Sequence, residues 1–353
     1  MNKLYIDINV IQSVPPSCIN RDDTGSPKTA IYGGVKRARV SSQSWKKAMR
    51  DYFRESFDEN ELAYRSTKII SIISKAIIDK NPEKTEDEAS DMAKEALKIL
   101  GIRMKEMDTA ALFFISKKQA ENVAEVMLNG DADKSKLSDA LKKHAGIELS
   151  LFGRMVADDP NLNVDASSQV AHSISTHRVE NEFDFYTAID DMRKDSEQGA
   201  GMMGVVEYNS STLYRYATIA IHDLKKNLDE MNAVSKAVGA FIKAFLVSMP
   251  SGKQNTFANH TLPYAALITI RNDQPVNLVG AFESPVRPNK ENGGYNEDSV
   301  KKMIEYKETV ESSFVSNPKI SWQIGTGLES VGPISSMEDC ISQIEKYIME
   351  QEF

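Results

Sequence analysis

The sequence predicts an alternating α/β fold, a split βαβ sheet carrying a long insertion, on three observations. Leu4, Ile6, Ile8 and Val10 recur at every second residue, the period of a strand with one buried face. A β, α, β order runs through the first half and returns in the second. Between them, from Asn161 to Asn209, regular periodicity weakens. That order suits a ferredoxin-like or RNA-recognition-type core with insertions. A chain of 353 residues allows one large domain or two joined ones, and no internal repeat is visible.

Taken in order, a loop with Pro15, Pro16, Gly25 and Pro27 follows the first strand. From Ser44 the spacing turns helical. Trp45, Met49, Tyr52 and Phe53 make one apolar stripe, and Lys46, Arg50 and Arg54 make a basic row four residues apart. Ser42 or Ser44 is placed to cap this helix. A Thr85–Glu88 capping box opens a helix over 85–100. Ala111 to Ser116 reads as a buried strand, Lys117 to Leu128 as a helix, and Lys134 to His144 as a short helix ended by Gly146. Asp190 to Gly204 is acidic and closes in GAGMMG, where Met202 and Met203 are apolar in a polar context. It fits a projecting hairpin or a disordered loop. Leu213 to His222 alternates as a strand, and Met231 to Val247 reads as a buried helix. Tyr264 to Ile270 and Leu278 to Phe282 read as strands around a turn at Asn272–Asp273. Tyr295 to Tyr306 and Ser335 to Glu350 close the chain as helices, the last with a Ser335–Glu338 capping box.

Apolar residues make up 41% and charged residues 27%, enough for a sizeable core and against a largely disordered chain. Cys18 and Cys340 are far apart and form no CxxC pair, so a disulfide framework or cysteine-zinc site is excluded and a reducing compartment is expected. Residues 1–12 lack a secretory apolar core and no run reaches the ~18 apolar residues of a membrane span. A soluble, cytoplasmic protein without membrane contact is the expectation.

Ordinary catalysis finds little support. His172 and His177 miss the i, i+4 metal spacing, and no HExxH occurs. Ser251 to Asn255 (SGKQN) lacks the spacing of a phosphate loop, although its lysine and asparagine can meet a nucleic-acid strand. Asp22-Asp23 and Asp158-Asp159 read as solvated loops before they read as magnesium ligands. Phe183, Phe185 and Tyr186 suit base stacking or a core, and core is the better reading. No metal or cofactor is expected.

Charge supplies the strongest signal. The chain carries −8 overall, yet residues 28–54 hold eight basic side chains against one acid, Asp51. This net +7 leaves −15 for the remainder. Lys28, Lys36, Arg37, Arg39, Lys46, Lys47 and Arg50 supply cations, and Ser41, Ser42, Gln43 and Ser44 supply short hydrogen-bonding groups as a helix begins. Gly33 and Gly34 would let the main chain approach a phosphate or sugar. The competing reading is a solvated basic helix paired with acids elsewhere.

The segment IYGGVKRARVSSQSWKKAMR (Ile31 to Arg50) resembles the repeated guide-binding backbone subunit of Cascade, the type I-E CRISPR surveillance complex (CasC family). The likeness continues through Leu151 to Met155, Asn161 to Glu182, Gly199 to Gly204 and Phe257 to Pro263, so its blocks span most of the chain in order. The resemblance implies a modified RNA-recognition (ferredoxin-like) palm, a helical fingers insertion and a projecting β-hairpin thumb. It implies that several copies polymerise along the spacer part of a CRISPR RNA and present its bases to target DNA. The thumb of one copy would kink the guide at regular intervals. The other partners implied are further Cascade subunits and a recruited helicase-nuclease that does the cutting, which leaves this subunit non-catalytic.

Carried onto this sequence, the palm takes residues 1–58 and 182–353, the fingers 59–181 and the thumb about 190–217. The basic segment becomes the guide grip, with Arg21 added from the preceding loop. Met155 becomes the wedge beside the kinked nucleotide, with Met202 and Met203 on the thumb. Contacts to a backbone are sequence-independent, as a carrier of any spacer requires. Extension along a strand needs an open head-to-tail interface. Two alternatives stand beside this: a metal-dependent endoribonuclease using Asp22 or Asp23, and a generic oligomeric scaffold that does not bind RNA.

Overall fold

The computed structural model describes residues 3–59, 61–188, 202–291 and 293–351. They build a mixed α/β molecule with eleven α-helices among the described residues and a nine-stranded sheet whose ladders are all antiparallel. Ile320–Gly325 forms one edge, followed by Ala265–Arg271, Tyr5–Ser17, the long strand Met202–Ala220, Ser173–Ser175, Val35–Val40 and Thr29–Tyr32 at the far edge. Glu182–Ala188 and Ser168–Val170 also pair with the long strand.

The first strand departs from simple alternation. Ile6 through Gln12 are all buried, because both faces of the sheet are covered. Ile6, Ile8 and Val10 pack with Trp45, Met49 and Phe53 of the helix Ser42–Ser56, with the helix Met231–Val247, and with the final helix Met337–Met349. Ile11 lies on the opposite face with Leu278, Phe282, Val300 and Met303. The buried polar residues between are bonded: the Tyr216 hydroxyl donates to Asp7 at 2.7 Å and the Tyr214 hydroxyl to Asn9 at 2.6 Å. Pro15 and Pro16, expected in a loop, sit in the strand where its register shifts between Val14 and Ser17.

A second core lies between Ile69 and Leu162. The helices Ile69–Lys80, Glu86–Ile99, Lys117–Leu128 and Lys134–Lys142 bury Ile73, Ile77, Ala93, Leu97, Val123 and Leu137 there. Capping boxes at Thr85–Glu88 and Ser116–Gln119 start two of them.

Other elements also differ from the sequence expectation: Ser41, and not Ser42 or Ser44, caps the helix Ser42–Ser56, and Gly146 opens a further helix, Gly146–Phe152, after the helix Lys134–Lys142 has ended. Leu278–Phe282 is a short 3₁₀ helix instead of a strand: Asn277 caps it by accepting from the Val279 amide at 3.0 Å, and Gly280 packs so closely on the Tyr306 ring that a Cβ would overlap it. The last helix is capped by Ser336 with Asp339, one residue later than expected. His222 lies in the helix Ile221–Leu228, after the long strand has ended.

Candidate nucleic-acid interface

The basic segment folds as a hairpin followed by a helix. Thr29–Tyr32 and Val35–Val40 pair from Thr29 opposite Ala38 to Tyr32 opposite Val35, which leaves Gly33 and Gly34 as a two-residue turn. Both have positive φ, 56° and 76°, as a primed hairpin turn requires. Their surroundings differ. A Cβ on Gly33 would overlap the Glu283 carbonyl oxygen, so its close approach is to the protein's own chain and not to a phosphate. Gly34 is exposed and faces open space.

The side chains divide into structural and available groups. Arg37 is fully buried and donates to four carbonyls, those of Tyr32 (3.2 Å), Ser175 (2.9 Å), Phe282 (2.8 Å) and Glu283 (3.3 Å). Burial depresses its pKa, and its donors are taken up by the protein's own main chain. Arg50 is likewise turned inward. Its Nε meets Glu148 at 3.0 Å, its Nη2 meets the Ala63 carbonyl, and its guanidinium covers the Phe114 ring at 4.7 Å. It fastens the basic helix to the insertion. Ser41 is buried as the N-cap, accepting from the Ser44 amide at 3.3 Å, and Lys47 is ion-paired with Asp51. Lys46 is half-buried over the Phe152 ring at 5.8 Å, and its pKa is lowered by burial and then by Arg65.

What remains open is Lys28, Lys36, Arg39, Gln43, Ser42 and Arg21. Lys36, Gln43 and Arg21 are exposed; Lys28, Arg39 and Ser42 are partly so. The helix begins without an acid in its first turn. Arg39 donates to the Thr29 carbonyl at 3.3 Å and lies 3.2 Å from His172 Nδ1, a contact that no local sequence signal announces. Arg21, Ser44 and Lys47 line a groove of about 960 Å³ with Asp22, Asp51 and the 247–252 loop, a mixed-charge surface.

Met155 stands out at 85% exposure, directly after Gly153 (φ 74°) and the buried Arg154. Arg154 anchors this turn by donating to the carbonyls of Phe114, Leu141 and Leu162 and to Gln119, and burial pushes its pKa down to about 10. A rigid base thus presents an apolar side chain to solvent. The second apolar display is the hairpin of Glu182–Ala188 with the start of the long strand. Phe185 pairs with Val205 and Thr187 with Met203, which puts Phe183, Phe185, Met203 and Val205 on one exposed face. The expectation that these phenylalanines fill a core is corrected: at 69% and 63% exposure, no second layer covers them among the described residues. Ala188 pairs with Met202 along the backbone, and the stretch from Asp190 to Gly201 lies outside the described residues.

Other candidates resolve simply. Asp22 Oδ1 accepts from Thr24 and Ser26 within its own turn, Asp158 holds Arg103, and Asp159 holds Lys134. Among the described residues no group of three or more His, Cys, Asp or Glu is arranged to hold a metal, and no helix is long and apolar enough to cross a membrane. Both cysteines are free and buried. In the SGKQN loop, Lys253 and Ala258 take positive φ around the short helix Gln254–Phe257, and Gly252 packs on the Ile19 carbonyl.

A family model described as CT1975-like protein matches residues 6–347. The chain belongs to the CT1975-like family. Two solved structures extend the comparison. This CT1975-like chain is 28% identical to a chain of a "CRISPR RNA-guided surveillance complex, pre-nicking", covering 96% of this chain and 100% of that one with a TM-score of 0.83. It is 25% identical to a chain of a second "CRISPR RNA-guided surveillance complex", covering 96% and 99% with a TM-score of 0.74. Its structural relatives are therefore subunits of CRISPR RNA-guided surveillance complexes, matched over nearly their whole length. A comparison with curated proteins gives no match.

Proposed function

We propose that this chain is the repeated backbone subunit of a type I-E CRISPR surveillance complex in antiviral defence. It binds CRISPR RNA through the sugar-phosphate backbone, joins further copies head-to-tail along the spacer and sits among other Cascade subunits. The guide is left free to pair with target DNA, and a recruited helicase-nuclease does the cutting. The subunit itself is non-catalytic.

The observation that carries the reading is the edge hairpin: Lys28, Lys36 and Arg39 have no carboxylate partner among the described residues of a chain with net charge −8. Cations gathered without acids on one sheet edge of an acidic protein suit an anionic partner there. The full-length likeness to chains of RNA-guided complexes supports the same partner. Met155 and the Phe183–Met203 face supply apolar groups suited to bases and to neighbouring copies.

The test is co-expression with partner subunits and a CRISPR RNA, followed by native mass spectrometry with and without ribonuclease. One RNA in a discrete multi-copy complex is expected, lost in the Lys28→Glu/Lys36→Glu variant. A wild-type chain that stays monomeric and RNA-free overturns the assignment. Arg50 is unsuitable for this test, because its loss would strand the buried Glu148.

A further inference from the structure

His172 lies in the connection between Ser168–Val170 and Ser173–Ser175. Ser173 pairs with Val40 and Ile174 with Arg39, so the register carries His172 to the level of Ser41, where the basic hairpin becomes the basic helix. Its Nδ1 is 3.2 Å from Nη1 of Arg39. A guanidinium only donates, so this ring nitrogen accepts and the imidazole is neutral. Burial first, then the charges of Arg39 and Lys28, hold its pKa below the ordinary histidine value. Those two cations are the charged groups acting on the ring, and the adjoining helix contributes no acid in its first turn. None of the three has a carboxylate partner among the described residues. Desolvation, with repulsion from the two cations added to it, favours the neutral ring.

We propose that Lys28, Arg39 and His172 form a single phosphodiester seat in which His172 is the proton-linked member. A phosphate entering between Arg39 and His172 takes over the guanidinium's hydrogen bond. The imidazole then takes a proton from solvent and donates to the anion. No covalent bond changes. The inference rests on the RNA-binding reading and adds a pH dependence located in one residue.

The sign follows from linkage. A bound phosphate raises the His172 pKa above its value in the RNA-free protein, so the complex holds more protons between the two values. Affinity rises as pH falls through that window, by at most about tenfold per pH unit for one proton.

Fluorescence anisotropy of a labelled single-stranded RNA on the full chain, at about pH 8 and about pH 6 and fixed salt, provides the test. His172→Gln is the comparison, since glutamine still offers Arg39 an acceptor but takes no proton. Wild type is expected to tighten roughly three- to tenfold more than H172Q between the two pH values. Equal tightening overturns the seat and leaves RNA binding standing. Failure of wild type to bind at either pH overturns the RNA reading and the seat together. NMR of the ring-labelled histidines gives a second readout: the His172 titration midpoint moves up when RNA is added, and a midpoint that stays or falls overturns the proposal.

Discussion

The guanidinium of Arg215, in the middle of the long strand, lies 3.7 Å from the ring centre of Trp45, in the first turn of the basic helix. The Phe245 ring also lies against the guanidinium, at 4.5 Å. Arg215 is fully buried, donates to Gln12 and to the Phe245 carbonyl, and has its pKa pushed down to about 9 by burial. Trp45 in turn donates from Nε1 to Ser173 Oγ at 2.9 Å. The basic helix is thus fixed to the sheet by an aromatic–cation stack and a hydrogen bond added to its apolar packing, and the hairpin before it by Arg37. Arginine serves two purposes in this segment: buried arginines hold the surface in place, and exposed cations beside them face solvent.

That division separates two adjacent residues. Arg37→Gln leaves up to four carbonyls, two of them buried, without their donor, a loss of about 2–4 kcal/mol in a denaturant melt. Lys36→Gln, one position earlier and exposed, is expected to leave stability within about 0.5 kcal/mol and, if the hairpin grips RNA as proposed, to weaken that binding and lower its salt slope by about one. If both variants melted like wild type, the structural role of Arg37 would be refuted.

The glycine turn gives a second paired prediction. Gly33→Ala adds a Cβ where the Glu283 carbonyl oxygen already sits, at a positive φ as well, so the hairpin must shift and about 3 kcal/mol or more is lost. Gly34→Ala meets open space and costs only the left-handed backbone penalty, about 1–2 kcal/mol. Equal losses in thermal melts would mean that contact with the 283 backbone contributes nothing.

How much of this was legible in sequence depended on how local the cause was. The Trp45, Met49, Phe53 stripe, the Thr85–Glu88 box and the helix Met231–Val247 follow from periods and caps within a few residues. Net charge located the basic segment. It could not sort that segment, because the partners that remove Arg37 and Arg50 from the surface, Ser175 and Glu148, are 138 and 98 residues away. Distance along the chain also hid His172. Phe183 and Phe185 misled for a related reason: alternation shows that one face of a strand is apolar and says nothing of whether another layer covers it.

Met155 offers a clean functional variant because so little holds it. At 85% exposure, Met155→Ser changes stability by less than about 0.5 kcal/mol. If the side chain wedges beside a displaced nucleotide, a fluorescent base analogue at the kinked guide position loses its unstacked signal in the assembled complex. An unchanged signal with M155S would remove Met155 from the wedge role.

Asp7 gives the molecule a pH signature independent of RNA. Burial pushes its pKa from 3.8 to about 6, even though the Tyr216 hydroxyl and the Val276 amide both donate to it. At pH values well below 4 the carboxyl is protonated in both folded and unfolded chains and contributes no pH-dependent energy. As pH rises from about 4 to about 6, the unfolded chain releases this proton while the folded one keeps it, so stability falls, by about 3 kcal/mol for a shift of this size. Above pH 6 the penalty is complete and flat. Carboxylates such as Asp22 and Asp158, whose pKa values are lowered by hydrogen bonds, act in the opposite sense in any variant and cancel in a comparison. Asp7→Asn keeps a neutral group with an acceptor for the Val276 amide. Urea denaturation across this range should therefore show the difference between D7N and wild type growing by about 2–3 kcal/mol in favour of D7N, with the change centred near pH 5. A constant difference would show that Asp7 ionises as easily in the fold as outside it, and that the Tyr216 and Val276 hydrogen bonds fully offset its burial.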